Sequence, residues 1–349
     1  MTAVKIMVVD DTITYRQIVS KVVESIPGTE LVASASSGRT ALMKLEGTKP
    51  DLIFLDVMMP EMDGIETLRQ VKLINPDVAV VMVSGVDKEN AKITLASLEA
   101  GALDFVAKPQ TSGMAESMEL LKNALEPIIN LVRDRLAPHR KAVPAPSKVL
   151  PTVKKSDQKP FDLVVLGIST GGPNALYTLF SGLKGTVPCP FLIVQHMPPL
   201  FTQSLAERLD GVTQMKVKEA QEGDLLAPGM VFIAPGGKHM VVTQGPKGNQ
   251  VSILDSPPVN HCKPAVDVLF ASVSKLPGLR PLSVVMTGMG RDGTEGVKAL
   301  KGTGTYCLVQ DEATSVVWGM PGSVYESQGA DEVLPLEKIG ARILELTCT

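Results

Sequence analysis

Three residues far apart in the chain would carry out acyl transfer if folding brought them together. Ser169 stands in "GISTGG" (167–172), directly after an apolar run. A serine hydroxyl is a weak nucleophile until a base takes its proton, and the base needs an acid to orient it. His196 closes the apolar run "FLIVQH", and Asp292 lies just beyond "LSVVMTGMG". Asp292 would accept a bond from His196 Nδ1–H, fixing the tautomer and stabilising the imidazolium. Backbone N–H groups after Ser169 and near Met289 are candidate donors to an oxyanion. Two other readings of Ser169 stay open at this level. It would cap the following helix, worth about 1 kcal/mol, or its glycine turn would hold a phosphate. The 167–172 turn itself has neither a G-x-G-x-x-G spacing nor a G-K-S/T phosphate loop. Among the other histidines, His139 falls in a basic stretch, His239 in a predicted hairpin and His261 in a loop, where substrate or solvent would meet them.

A second set suits phosphoryl transfer. Asp10 and Asp11 end one apolar run, Asp56 another, Ser84 a third and Lys108 a fourth. Carboxylates crowded together repel one another unless a cation intervenes, and oxygen donors without His or Cys favour Mg²⁺. Asp56 would then attack phosphorus, with Ser84 and Lys108 binding the transferred group.

The elements that must position these residues alternate. Over 1–125, runs such as "KIMVVD", "DLIFLD" and "VAVVMVS" are separated by stretches with helical spacing, such as "GIETLRQVKLI". Parallel strands need crossover connections, so this pattern predicts an α/β domain with a five-stranded, doubly wound parallel sheet. Ligands of such sheets gather at the carboxyl ends of the strands, where all five residues fall. Residues 126–159 begin as a helix and turn rich in Pro, Lys and Arg; 137–159 read as an exposed linker. Residues 160–349 form a second α/β segment, predicted to be a mainly parallel sheet with an antiparallel portion. "MVFIAPGGKHMVVTQ" there suggests a hairpin around Gly236–Gly237.

Composition narrows the partners. Aromatics at 4% and a formal net charge of −3 argue against a nucleic-acid surface. No apolar run approaches the roughly 20 residues that span a bilayer, and the first residues read straight into a strand. The expectation is a cytoplasmic monomer without direct membrane insertion. Four scattered cysteines, 189, 262, 307 and 348, lack a C-x-x-C pair and read as reduced, partly buried thiols.

Residues 1–125 resemble the response-regulator receiver family through "VVDD", "LDVMMPEMDG", "VSG" and "AKP". The resemblance implies phosphorylation of Asp56 by a histidine kinase, with Mg²⁺ held by Asp10, Asp11, Asp56 and the Met58 carbonyl. The second segment resembles the catalytic domain of the chemotaxis protein-glutamate methylesterase (CheB) family. "GISTGGP", "QHMPP", "FIAPGGKHM", "KPAVDVLF", "TGMGRDG" and "VWGMPGSV" carry that likeness in order. It implies Ser169 as nucleophile, His196 as base, Asp292 as orienter, and oxyanion or site-shaping roles for Thr170 and the Met289 main chain. No cofactor is implied for the esterase step. The implied substrates are glutamyl methyl esters on methyl-accepting chemoreceptors, and members often also deamidate receptor glutamines. In that family the unphosphorylated receiver blocks the active site. "HCKP" (261–264) departs from the commoner His-Arg-Pro form, which bears on local substrate contacts.

Overall fold

The computed structural model describes residues 3–111, 113–136 and 160–348, which fall into two compact units on either side of 137–159. The expected linker and His139 lie outside the described residues. In the first unit the elements run β1 (Val4–Val9), α1 (Ile13–Ser25), β2 (Thr29–Ala35), α2 (Gly38–Thr48) and β3 (Leu52–Asp56). They continue with α3 (Gly64–Ile74), β4 (Ala79–Ser84), α4 (Lys88–Glu99), β5 (Asp104–Ala107) and α5 (Met114–Leu136). The sheet order is β2-β1-β3-β4-β5, parallel throughout. β3 is buried at every position, as a strand covered on both faces must be. One face packs Ile6, Val8, Phe54 and Val81 against Val19 and Val22 of α1 and Leu125 and Ile129 of α5. The direction of winding reverses between β1 and β3, opening a crevice at their carboxyl ends. α5 runs on to Leu136, past residue 125.

The second unit opens with β6 (Leu163–Ile168), α6 (Gly172–Gly182), β7 (Phe191–Gln195), α7 (Phe201–Asp210), β8 (Lys216–Glu219) and β9 (Met230–Ile233). β10 (His239–Gly245), β11 (Gly248–Leu254), α8 (Val266–Val273), β12 (Pro281–Val285) and α9 (Thr294–Lys301) follow. β13 (Tyr306–Gln310), α10 (Met320–Glu326), β14 (Glu332–Leu334) and α11 (Leu336–Thr347) complete it. Seven strands form one parallel sheet, β14-β13-β12-β6-β7-β9-β8, and the antiparallel portion is a separate β10-β11 pair. No helix among the described residues is long and apolar enough to cross a membrane.

The hairpin sits elsewhere than expected. β9 is committed to parallel pairing with β7 and β8, so the chain leaves the sheet at Pro235–Gly237 instead of folding back. Gly236 passes so close to the main chain of Pro198 that a Cβ would lie 2.3 Å from its carbonyl carbon. The turn falls at residues 245–248 instead, with Gly248 at φ 122°. His239 is correspondingly not at a surface: it is fully buried, accepting the Ala265 N–H at Nδ1 and donating from Nε2 to the Pro257 carbonyl.

Candidate active site

β6 lies at the centre of the second sheet, flanked by β12 and β7. Ile168 pairs with Gln195, so Ser169 and His196 each stand one residue beyond paired positions on adjacent strands. Strands in that relation lie about 4.8 Å apart. Ser169 N–H donates to the Thr287 carbonyl just past β12, and His196 N–H to the Ile168 carbonyl.

Beyond Ser169 the chain turns sharply. Gly172 N–H closes on the Ser169 carbonyl at 2.7 Å with Gly171 at φ 74°, the arrangement of a type II turn. Gly171 is also the N-cap of α6, with no side-chain cap bond, so the Ser169 hydroxyl is not spent as a helix cap. Gly288 makes room from the other side: a Cβ there would lie 2.8 Å from that of Ser169. Thr287 Oγ1 donates to the Thr170 carbonyl and accepts from Val317 N–H, tying the turn to the loop before α10. The N–H groups of Thr170 and Met289 have no acceptor among the described residues.

His196 Nε2 lies 2.8 Å from Asp292 Oδ2. This corrects the expected use of Nδ1: the imidazole reaches the acid with its outer nitrogen, leaving Nδ1 on the side of its own strand end. Nδ1 instead faces Cys262 Sγ at 3.5 Å. No hydrogen bond joins the Ser169 hydroxyl to His196 among the described residues.

Asp292 is buried yet fully engaged. Besides His196, it accepts N–H bonds from Val266 (2.7 Å), Asp267 (3.0 Å) and Gly293 (3.1 Å), and one from Asn260 Nδ2 (3.1 Å). Two of these donors open α8, whose dipole favours an anion there. Burial alone would raise its pKa, but the His196 bond and charge and the N–H bonds outweigh it and hold the carboxyl low. Burial likewise opposes charge on His196, yet the bonds to Asp292 and Cys262 prevail and lift it to about 9.

A tight turn supplies both Asn260 and Cys262. Val259 and Cys262 exchange backbone bonds of 3.1 and 2.9 Å, with Asn260 and His261 at φ 52° and 62°, as in a type I′ turn. Sequence reasoning passed over Asn260, Cys262 and Thr287; His261 itself is exposed. Thr287 stood inside a quoted motif, whereas the turn carried no signal beyond its "HCKP" departure.

In the first unit Asp10, Asp11 and Asp56 offer carboxylate oxygens that lie within 4.8 Å of one another. That all-oxygen, acidic donor set fits a hard divalent cation. Lys108 Nζ lies 2.8 Å from both Asp10 and Asp56 and 4.8 Å from the Tyr15 ring centroid. Burial and the Asp10 charge lift Asp56 to about 6 against the pull of Lys108. Lys108 is held above its usual range because Asp56 and Asp10 outweigh its own burial. Ser84 is fully buried and its hydroxyl accepts from Thr94 Oγ1 at 2.8 Å. Met58 is exposed beside the pocket. Not every acid at this edge is available: Asp63 and Asp87 cap α3 and α4.

Residues 164–343 match the family described as CheB methylesterase, and residues 6–119 match the response regulator receiver domain. A relative from Desulfotalea psychrophila, named protein-glutamate methylesterase/protein-glutamine glutaminase, is 42% identical over 99% of this chain and 98% of its own. One of the same name from Trichodesmium erythraeum is 40% identical over 99% of both chains. The crystal structure of the Thermotoga maritima CheB methylesterase catalytic domain is 40% identical, covering 53% of this chain and 98% of its own with a TM-score of 0.52.

Proposed function

The chain belongs to the CheB methylesterase family, and from that premise we propose that it is a phosphorylation-regulated serine hydrolase acting on glutamyl methyl esters of chemoreceptors. The observation that carries this reading is the pairing of an acid-clamped imidazole with a serine hydroxyl left uncommitted on the neighbouring strand. His196 Nδ1 takes the Ser169 proton as Oγ attacks the ester carbonyl. The oxyanion meets the N–H groups of Thr170 and Met289. Collapse breaks the bond to the methoxy oxygen, which leaves as methanol with the proton from His196. A water, deprotonated by His196, then cleaves the glutamyl-serine ester; the proton returns to Ser169 Oγ and the receptor side chain leaves as a glutamate carboxylate. Receptor glutamine would follow the same route with ammonia as leaving group, an amide being the harder acyl donor.

In the receiver unit, Asp10, Asp11 and Asp56, with the Met58 carbonyl, would hold Mg²⁺, which when bound neutralises phosphoryl oxygens. Asp56 accepts the phosphoryl group from a histidine kinase, and Lys108 and Ser84 then bind it. The setting is the cytoplasm, where receptor signalling helices and the kinase are accessible. Methanol release from methylated receptor tests the central claim. Ser169→Ala should lower it by about 10⁴-fold or more; release at the wild-type rate would remove Ser169 as the nucleophile.

A further inference from the structure

The imidazole of His196 is bracketed by two groups of different chemistry. Asp292 holds Nε2 at 2.8 Å, and Cys262 Sγ stands 3.5 Å from Nδ1. A tetrahedral zinc ion with Zn–S about 2.3 Å and Zn–N about 2.0 Å keeps such donors roughly 3.5 Å apart. A carboxylate on the far nitrogen of a ligating histidine is also the usual support for such a bond, orienting the ring and raising its basicity. His196, Cys262 and Asp292 together place ligand atoms within 4.8 Å of one another. Cys262 and His196 are both half-buried, and Cys262 lies on the type I′ turn. Ser169 follows the adjacent strand on that same edge.

We propose that Cys262 and His196 form an inhibitory binding site for a borderline-soft divalent metal, zinc above all. The metal accepts electron pairs from Sγ and Nδ1, and the thiol proton and the Nδ1 proton of the resting imidazolium both pass to solvent; nothing is oxidised or reduced. Thiolate and imidazole select zinc over magnesium, which keeps to oxygen donors such as the Asp10, Asp11 and Asp56 cluster. Asp292 stays on Nε2 as the supporting carboxylate, and water completes the coordination. A metal on Nδ1 occupies the lone pair that would take the serine proton. The inhibition, though not the binding, therefore rests on the esterase mechanism proposed above.

The test uses the full chain with excess Mg²⁺ to fill the acidic pocket. Titration with Co²⁺ should produce a near-ultraviolet thiolate-to-cobalt charge-transfer band with visible d–d bands, displaced by Zn²⁺. Cys262→Ser should abolish the thiolate band, while Cys348→Ser, at the exposed cysteine, should keep it. In parallel, Zn²⁺ should inhibit methanol release reversibly on chelation. Each variant is scored against its own metal-free rate, and Cys262→Ser should raise the half-inhibiting concentration by at least roughly tenfold. A thiolate band that survives Cys262→Ser, or equal zinc inhibition of both proteins, would overturn the site. Because the cobalt band needs no turnover, a chain without esterase activity that still shows it supports the metal site while defeating the esterase reading.

Discussion

Asp56 and Asp292 are the same side chain at the carboxyl edge of a parallel sheet, both buried, with opposite electrostatic fates. Asp56 shares its pocket with Asp10, Asp11 and a single ammonium, and burial lifts it to about 6. Asp292 is surrounded by donors from α8, the start of α9 and the 259–262 turn, and is held below the ordinary carboxylate range. The first pocket is short of positive charge and suited to acquiring a cation and then a phosphoryl group. The second is satisfied before any substrate arrives, so its charge holds His196 and anchors the start of α8. Desolvation is the largest influence on both; the count of donors decides the sign.

The strongest way to break this contrast is Asp292→Asn. The amide must point an N–H at groups that are themselves donors, so the variant loses both the imidazolium partner and the anchor of α8. Methanol release should fall by about 10⁴-fold, and the catalytic unit should lose about 3 kcal/mol of stability, measured by denaturant unfolding. The pH profile carries the sign. With His196 lifted to about 9, the resting imidazole is protonated across the neutral range and cannot accept the serine proton. kcat/KM should therefore climb with pH and level off near 9. In the variant the residual activity should have its acid limb displaced toward lower pH. An unchanged limb would mean that Asp292 does not set the basicity of His196.

Asp56→Asn probes the opposite case. Removing a charge from a crowded cluster should stabilise the receiver unit without metal, by about 1 kcal/mol or a few degrees in Tm. Mg²⁺ should raise the Tm of the wild type and have less effect on the variant. The variant should also lose any stimulation of methanol release by a stable aspartyl-phosphate mimic. A metal-free variant less stable than the wild type would show that the Lys108 pairing, not carboxylate repulsion, dominates the pocket.

Much of this was legible because parallel sheets write themselves as apolar runs ending at the working edge. Ser169, His196, Asp10, Asp56, Ser84 and Lys108 were placed by that rule alone, and the register of β6 and β7 agrees for the first two. β8 was missed since "KVKE" is an edge strand with one buried position and reads as polar. The hairpin was misplaced because a Gly-Gly pair signals tight backbone approach as readily as a turn, and at Gly236 it is approach. The nitrogen of His196 that meets Asp292 depends on ring orientation, which strand position does not specify. Asn260 and Cys262 act through contacts 32 and 66 residues away in sequence, and only the fold creates them.

Thr287 shows how a group that touches neither His196 nor Asp292 still shapes their edge. Its hydroxyl donates to the Thr170 carbonyl at 2.9 Å and accepts from Val317 N–H at 3.0 Å, while its own N–H donates to Gln310 Oε1. Thr287→Val keeps the side chain's shape and deletes the hydroxyl, leaving the half-buried Thr170 carbonyl and Val317 N–H without their partner. The fold should lose about 2 kcal/mol. If about 1 kcal/mol of that ordering is needed to hold the Thr170 N–H against the oxyanion, kcat falls roughly fivefold. KM should not move, because the ground-state ester does not yet carry the charge. A drop in Tm with kcat intact would make Thr287 a brace for the fold alone, and would shift the oxyanion role toward the Met289 main chain.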